Sequence, residues 1–143
     1  MTNQAPPAAE TATRVWAAIH ALVAAQDRRR ELREAFDFGR GLGWVAVLLA
    51  LTEGPLTLRQ IAASQGIDAP YATVIVDKLE ARGLVLRTPH PAGHRRKLVS
   101  LTGAGRKAAA QAREIIDRPP AAIAGLPAAE LAALDAILAR LAP

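Results

Sequence analysis

Between Thr57 and Gly83 two sets of helix start and stop signals stand back to back, and this punctuation limits the fold more than any other stretch. Thr57 offers a hydroxyl N-cap with Gln60 three residues on, the pattern of a capping box, so a short helix is expected over 58–64. Gly66 closes it. Asp68 then caps a helix over 69–82, and Pro70 falls in its first turn, where a missing N–H costs nothing. Gly83 stands where that helix needs a left-handed end. Two capped helices joined by a turn of about four residues containing glycine form a helix-turn-helix signature.

The flanks extend the pattern. After Gly83 the short apolar run Leu84-Val85-Leu86-Arg87 and a second, Lys97-Leu98-Val99-Ser100-Leu101, read as strands. Between them 89–96 is rich in proline, glycine and basic residues, which predicts a β-hairpin with a long loop. Thr102 caps a helix over 103–117 that Pro119-Pro120 break. A last amphipathic helix carries Leu131, Leu134, Ile137, Leu138 and Leu141 on one face. Upstream, residues 1–9 with Pro6-Pro7 read as a disordered leader. Val15, Trp16, Ile19, Leu22 and Val23 then form a helical stripe, and that helix is expected to continue through Asp27 and Arg28-Arg29-Arg30 toward Phe36. Gly39, Gly41 and Gly43 punctuate the chain before a helix at about 44–52, apolar nearly all round and therefore central. Half of the 143 residues are apolar but only 3% are aromatic, so alanine-rich helices must pack closely to make the core.

Charge is placed unevenly. The net charge is +5, yet 81–113 holds eight basic residues and no acid, while the remainder holds ten basic against thirteen acidic groups. Such one-sidedness suits a polyanion site, although a solvated basic surface has the same composition. The absence of cysteine excludes disulfides, thiolate metal sites and cysteine redox sensing. The N-terminus lacks a basic leader pattern, and the apolar stretches 15–25 and 45–51 are too short to span a bilayer, so a cytoplasmic protein with no membrane association is expected. The chain has three histidines, His20, His90 and His94, and no Ser-His-Asp set, phosphate loop or acidic metal motif. His90 and His94 are four apart but sit in a Pro/Gly hairpin rather than on a helix, so they make a poor metal pair. No enzyme activity, cofactor or metal is expected.

Two segments carry a family resemblance: Val76-Asp77-Lys78-Leu79-Glu80-Ala81-Arg82-Gly83-Leu84-Val85, and the spaced set Arg95, Val99, Leu101, Thr102 and Gly105. In this order and separation they resemble the MarR family of regulators, over about residues 11–141. The resemblance implies a mostly α protein with a small β-hairpin wing. It divides a single winged-helix domain over 1–143 into a DNA-binding winged helix-turn-helix at 44–102 and dimerisation helices at 10–38 and 103–143. It implies a sequence-specific, homodimeric repressor of transcription that responds to a small molecule. Gly93 departs from the family, which commonly has aspartate there to hold the wing arginine.

On that frame Ala72, Ile75, Val76 and Leu79 face the core, leaving Tyr71, Thr73, Val74, Asp77 and Lys78 for the major groove or its edge. Arg59 and Gln60 reach phosphates, His94, Arg95 and Arg96 follow the minor groove, and Arg87 is also expected among the DNA-binding residues. Trp16, His20 and Trp44 are candidates to hold a small aromatic or anionic effector, with ordinary core packing as their plainer role. The expected partners are double-stranded DNA, a second copy of the chain and that effector. The thin polar content of Tyr71-Ala72-Thr73-Val74 keeps an alternative in view, a winged-helix protein–protein interaction module without sequence-specific DNA binding.

Overall fold

The computed structural model describes residues 8–39 and 41–142, apart from the side chain of His94. In chain order the elements are α1 (Ala8–Ala24), α2 (Arg28–Ala35), α3 (Gly43–Ala50) continued by a 3-10 turn (Leu51–Glu53), and β1 (Leu56–Thr57). Then follow α4 (Leu58–Gln65), α5 (Ala69–Ala81), β2 (Val85–His90), β3 (Gly93–Leu101), α6 (Gly103–Asp117), α7 (Ala121–Ala124) and α8 (Ala128–Leu141). These belong to two compact units, one spanning Arg28–Asp117 and the other made of the chain on either side of it.

In the central unit the caps act as their residue types require. Thr57 Oγ1 accepts from the Gln60 N–H at 3.2 Å while Gln60 Oε1 accepts from the Thr57 N–H at 2.8 Å, which starts α4. Asp68 accepts from the Tyr71 N–H at 2.7 Å and starts α5. Gly66 (φ 61°) and Gly83 (φ 69°) take the left-handed conformation that ends each helix. Thr102 joins two elements: its Oγ1 accepts from the Gly105 N–H at 3.0 Å, and its hydroxyl donates to the Gly83 carbonyl at 2.6 Å. The start of α6 is thereby tied to the end of α5.

The core forms around α3. Trp44, Val45, Val47 and Leu48 are buried on nearly all sides of that helix. Ile61 and Ala62 of α4 pack there with Ala72, Ile75, Val76 and Leu79 of α5, and with Val85 and Val99 of the sheet. Ala108, Ala109 and Ala112 of α6 are also buried, and their small side chains let α6 approach α3 closely. No polar or charged residue among those described is buried in the core.

Two expectations need correction. The expected long helix through Asp27 to Phe36 stops at Ala24 and resumes as α2. There the Gln26 N–H bonds three residues back to the Val23 carbonyl, and the Gln26 amide donates to the Leu22 carbonyl. The apolar stripe also fails to continue, since α2 buries only Leu32. The wing's long loop is absent, because the strands extend until only Pro91 and Ala92 separate them. Pro89 fits within β2 because β2 is an edge strand, where a missing N–H is tolerated, and the register shifts between Pro89 and His90. The Ala92 N–H donates to His90 Nδ1 at 3.0 Å and closes the turn. Finally, β1 and α7 went unanticipated, being two and four residues long and too short to leave a periodic signal.

The second unit looks different. Neither α1 nor α8 has a buried residue. Val15, Trp16, Ile19 and Val23 of α1 and Ile137, Leu138 and Leu141 of α8 are exposed, while Leu131 and Leu134 are half-buried. The expected leader falls mostly on residues 1–7, outside those described, and Ala8 and Ala9 already belong to α1. Among the described residues no helix is long and apolar enough to cross a membrane.

Candidate nucleic-acid interface

Helix α5 is divided along its length. Ala72, Ile75, Val76 and Leu79 face the core, as their spacing requires. Opposite them, Tyr71 and Val74 are each about half exposed, Asp77 and Lys78 are exposed, and Thr73 is half-buried with its hydroxyl donating to the Ala69 carbonyl at 3.0 Å. The exposed face therefore offers an aromatic ring, methyl groups and one ammonium, with little else able to donate a hydrogen bond.

A basic groove of about 440 Å³ lies between α4 and the wing, lined by Thr57, Leu58, Arg59 and Gln60 on one wall and His90, Arg95, Arg96 and Lys97 on the other. The sheet builds it. Strand β1 pairs with β3 at Leu56↔Val99 and Thr57↔Leu98, which places the first turn of α4 next to the wing. Four cations converge there with no carboxylate among the lining residues. The first-turn N–H groups of α4 add the partial positive charge of a helix N-terminus. The Gln60 oxygen is committed to its cap, leaving its amide NH₂ for an outside partner. Gly93 pairs with His90 at the hairpin tip, so no carboxylate restrains Arg95 from that position. The groove unites Arg59, Gln60, Arg95 and Arg96, and the side chain of His94 lies outside the described residues.

The remaining candidates sit elsewhere. Arg87 turns back from β2 onto α5, bonding Asp77 at 2.5 Å and also Glu80, and its side chain is only 19% exposed. Trp44 is buried, stacked on Phe38 with centroids 4.3 Å apart and edge-on to Phe36 at 4.9 Å. Arg82 covers the outer side of Phe38 at 4.2 Å. The Trp44 indole N–H has no acceptor among the described residues. Trp16 and His20 pack together on α1 at 4.4 Å, in the other unit. Of the basic run at 28–30, Arg28 pairs with Glu31 at 2.8 Å in a partly buried contact, and Arg30 pairs with Glu34 at 3.7 Å on the exposed surface. Among the described residues no group of histidines and acids could hold a metal.

Sequence reasoning did not place His90 and Lys97 in the groove, although both lie in the basic stretch, because the pairing of β1 with β3 that brings α4 to the wing went unseen. It also missed the joining of Asp77 and Glu80 to Arg87. Two acids three apart on a helix, followed closely by an arginine on a strand, were the available signal.

A capped helix pair, a three-stranded wing and a cationic groove between them define a winged helix-turn-helix protein. The MarR family model matches residues 37–96. Among solved structures, a probable transcriptional regulator from Pseudomonas aeruginosa is 32% identical, with 83% of this chain and 91% of that one covered at a TM-score of 0.57. MarR from E. coli in its apo form is 25% identical, covering 87% and 94% at a TM-score of 0.65. The YusO protein from Bacillus subtilis, 24% identical over 94% and 96%, shares the fold at a TM-score of 0.71. No curated protein sequence matches. The chain belongs to the MarR family, and like its members it is a DNA-binding regulator of transcription rather than an enzyme.

Proposed function

We propose that the chain works as a homodimeric repressor whose two winged-helix units read a pseudo-palindromic operator. The observation that carries this reading is the groove between α4 and the wing in which Arg59, Arg95, Arg96 and Lys97 converge. In the proposed complex α5 enters the major groove, where Val74 meets thymine methyl groups and Tyr71, Thr73 and Lys78 meet base edges or the groove wall. Arg59 and Gln60 hold phosphates with the N–H groups of α4, and the wing arginines follow the adjacent minor groove.

Dimerisation is supported by the exposed apolar residues of α1 and α8, which a second copy of the same chain would cover under twofold symmetry. A small aromatic or anionic effector completes the proposal. Its support is the unpartnered Trp44 indole N–H, on a helix whose first turn also lines a cavity of about 120 Å³ with Tyr71 and Lys78. A regulator of this kind works in the cytoplasm. The test is fluorescence anisotropy with the chain's own upstream intergenic duplex against a scrambled one. Preferential binding to the native duplex supports the reading; equal weak binding to both favours the protein-interaction alternative.

A further inference from the structure

We propose that Arg87 is a positioning residue of the DNA interface: from β2 it bridges Asp77 and Glu80, fixing the wing to α5 and cancelling carboxylate charge that α5 would otherwise present to phosphates. The proposal rests on the DNA-binding reading above and replaces the expectation that Arg87 itself contacts DNA.

The geometry points this way from both sides. Asp77 and Glu80 are three apart on α5 and share a face, and Asp77 is next in sequence to Lys78 on the exposed side. Their side chains are 59% and 42% exposed, so each would meet an approaching polyanion, whereas that of Arg87 is 19% exposed and tucked between α5 and the sheet. A guanidinium fork can serve two carboxylates at once, which an ammonium does less well. Partly exposed ion pairs add little to global stability, so the main effect of this triad falls on the interface and on local order rather than on the fold as a whole.

Arg87 also stands opposite Val99 in the hairpin, two pairs from Lys97 and close to Arg95 and Arg96 along β3. Holding Arg87 to α5 sets the angle at which those cations leave the sheet. The core residues Val85 and Val99 and the β1–β3 pairing anchor the hairpin independently. The clamp can therefore be removed without unfolding the unit.

The test compares wild type, Arg87→Gln and the triple variant Asp77→Asn/Glu80→Gln/Arg87→Gln by anisotropy on the preferred duplex across a salt series, after melting curves show all three folded. Arg87→Gln is expected to bind about five- to tenfold more weakly, since two uncompensated charges then face phosphates. The triple variant is expected to return to within about twofold of wild type, with the wild-type salt slope. A triple variant that stays weak, with a slope lowered by about 0.9 for each Arg87 removed, would make Arg87 a phosphate contact and overturn the proposal. So would wild-type affinity in Arg87→Gln. If wild type binds no duplex, the DNA-binding reading fails by itself, and amide exchange in the free protein then decides the clamp. Faster exchange confined to β2 and the second half of α5 in Arg87→Gln supports the clamp, and unchanged exchange refutes it.

Discussion

Gly105→Ala tests how the wing is locked to the helices. A Cβ built at Gly105 would lie 1.9 Å from the Leu84 carbonyl oxygen, 2.9 Å from its carbon and 3.2 Å from Leu101 Cδ2. An ordinary C···O contact needs about 3.3 Å, so the backbones must separate by roughly 1.4 Å. The obstacle is main chain and cannot swing aside. The Leu84 carbonyl accepts the Thr102 N–H at 3.0 Å, so moving it also strains the joint between β2 and α6. Overpacking costs about 1–3 kcal/mol and the weakened hydrogen bond about 1 kcal/mol. The helix preference of alanine over glycine returns about 1 kcal/mol. The net is a destabilisation of about 2 kcal/mol, which for a domain of this size lowers Tm by roughly 6–12 °C. Circular dichroism melting of Gly105→Ala beside Gly103→Ala provides the assay. At Gly103 the nearest atom to the new Cβ is the flexible end of the Arg106 side chain at 3.9 Å, so that variant should match wild type. Equal melting temperatures for Gly105→Ala and Gly103→Ala would refute the close-approach argument.

Thr102→Ala removes both the cap on α6 and the bond to Gly83, and a loss of about 1–2 kcal/mol is expected in urea unfolding with an unchanged m-value. Thr57→Ala breaks the capping box of α4 and is expected to cost about 1 kcal/mol, while weakening DNA binding because the same turn forms one wall of the groove. Val23→Glu with Ile137→Glu places charge on the exposed apolar faces of α1 and α8. Sedimentation is expected to show a dimer for wild type, as proposed, and monomers for the variant; a variant that stays dimeric would move the interface elsewhere.

What could be read from the sequence was whatever a single residue type enforces. Thr57, Asp68 and Thr102 each supply an oxygen that N–H groups at a helix start require, and Gly66 and Gly83 supply the left-handed turn at a helix end, so α4, α5 and α6 were located closely. The buried face of α5 was also legible, since Ala72, Ile75, Val76 and Leu79 fall at helical spacing. Pairing was harder to see, because it depends on partners distant in sequence. Pro89 and Gly93 argued for a loop, yet the ladder from Val85↔Leu101 to Pro89↔Lys97 carries the strands through the proline at the sheet edge. The same blindness hid β1, and with it the reason why Arg59 and Lys97 share a groove. Arg87 was assigned from its charge, while its partners depended on the packing of α5 against β2. The break at Ala25-Gln26-Asp27 was missed because residues of good helix propensity lie on both sides of it.

The central claim is that the basic groove between α4 and the wing binds duplex DNA, with α4 at phosphates and the wing arginines along the minor groove. The most direct test is the salt dependence of duplex binding for wild type and for Arg95→Ala/Arg96→Ala, with folding confirmed by melting. Weaker binding is expected, with a log–log salt slope reduced by about 0.9 for each phosphate charge no longer neutralised. Unchanged affinity and slope in a folded double variant would contradict it.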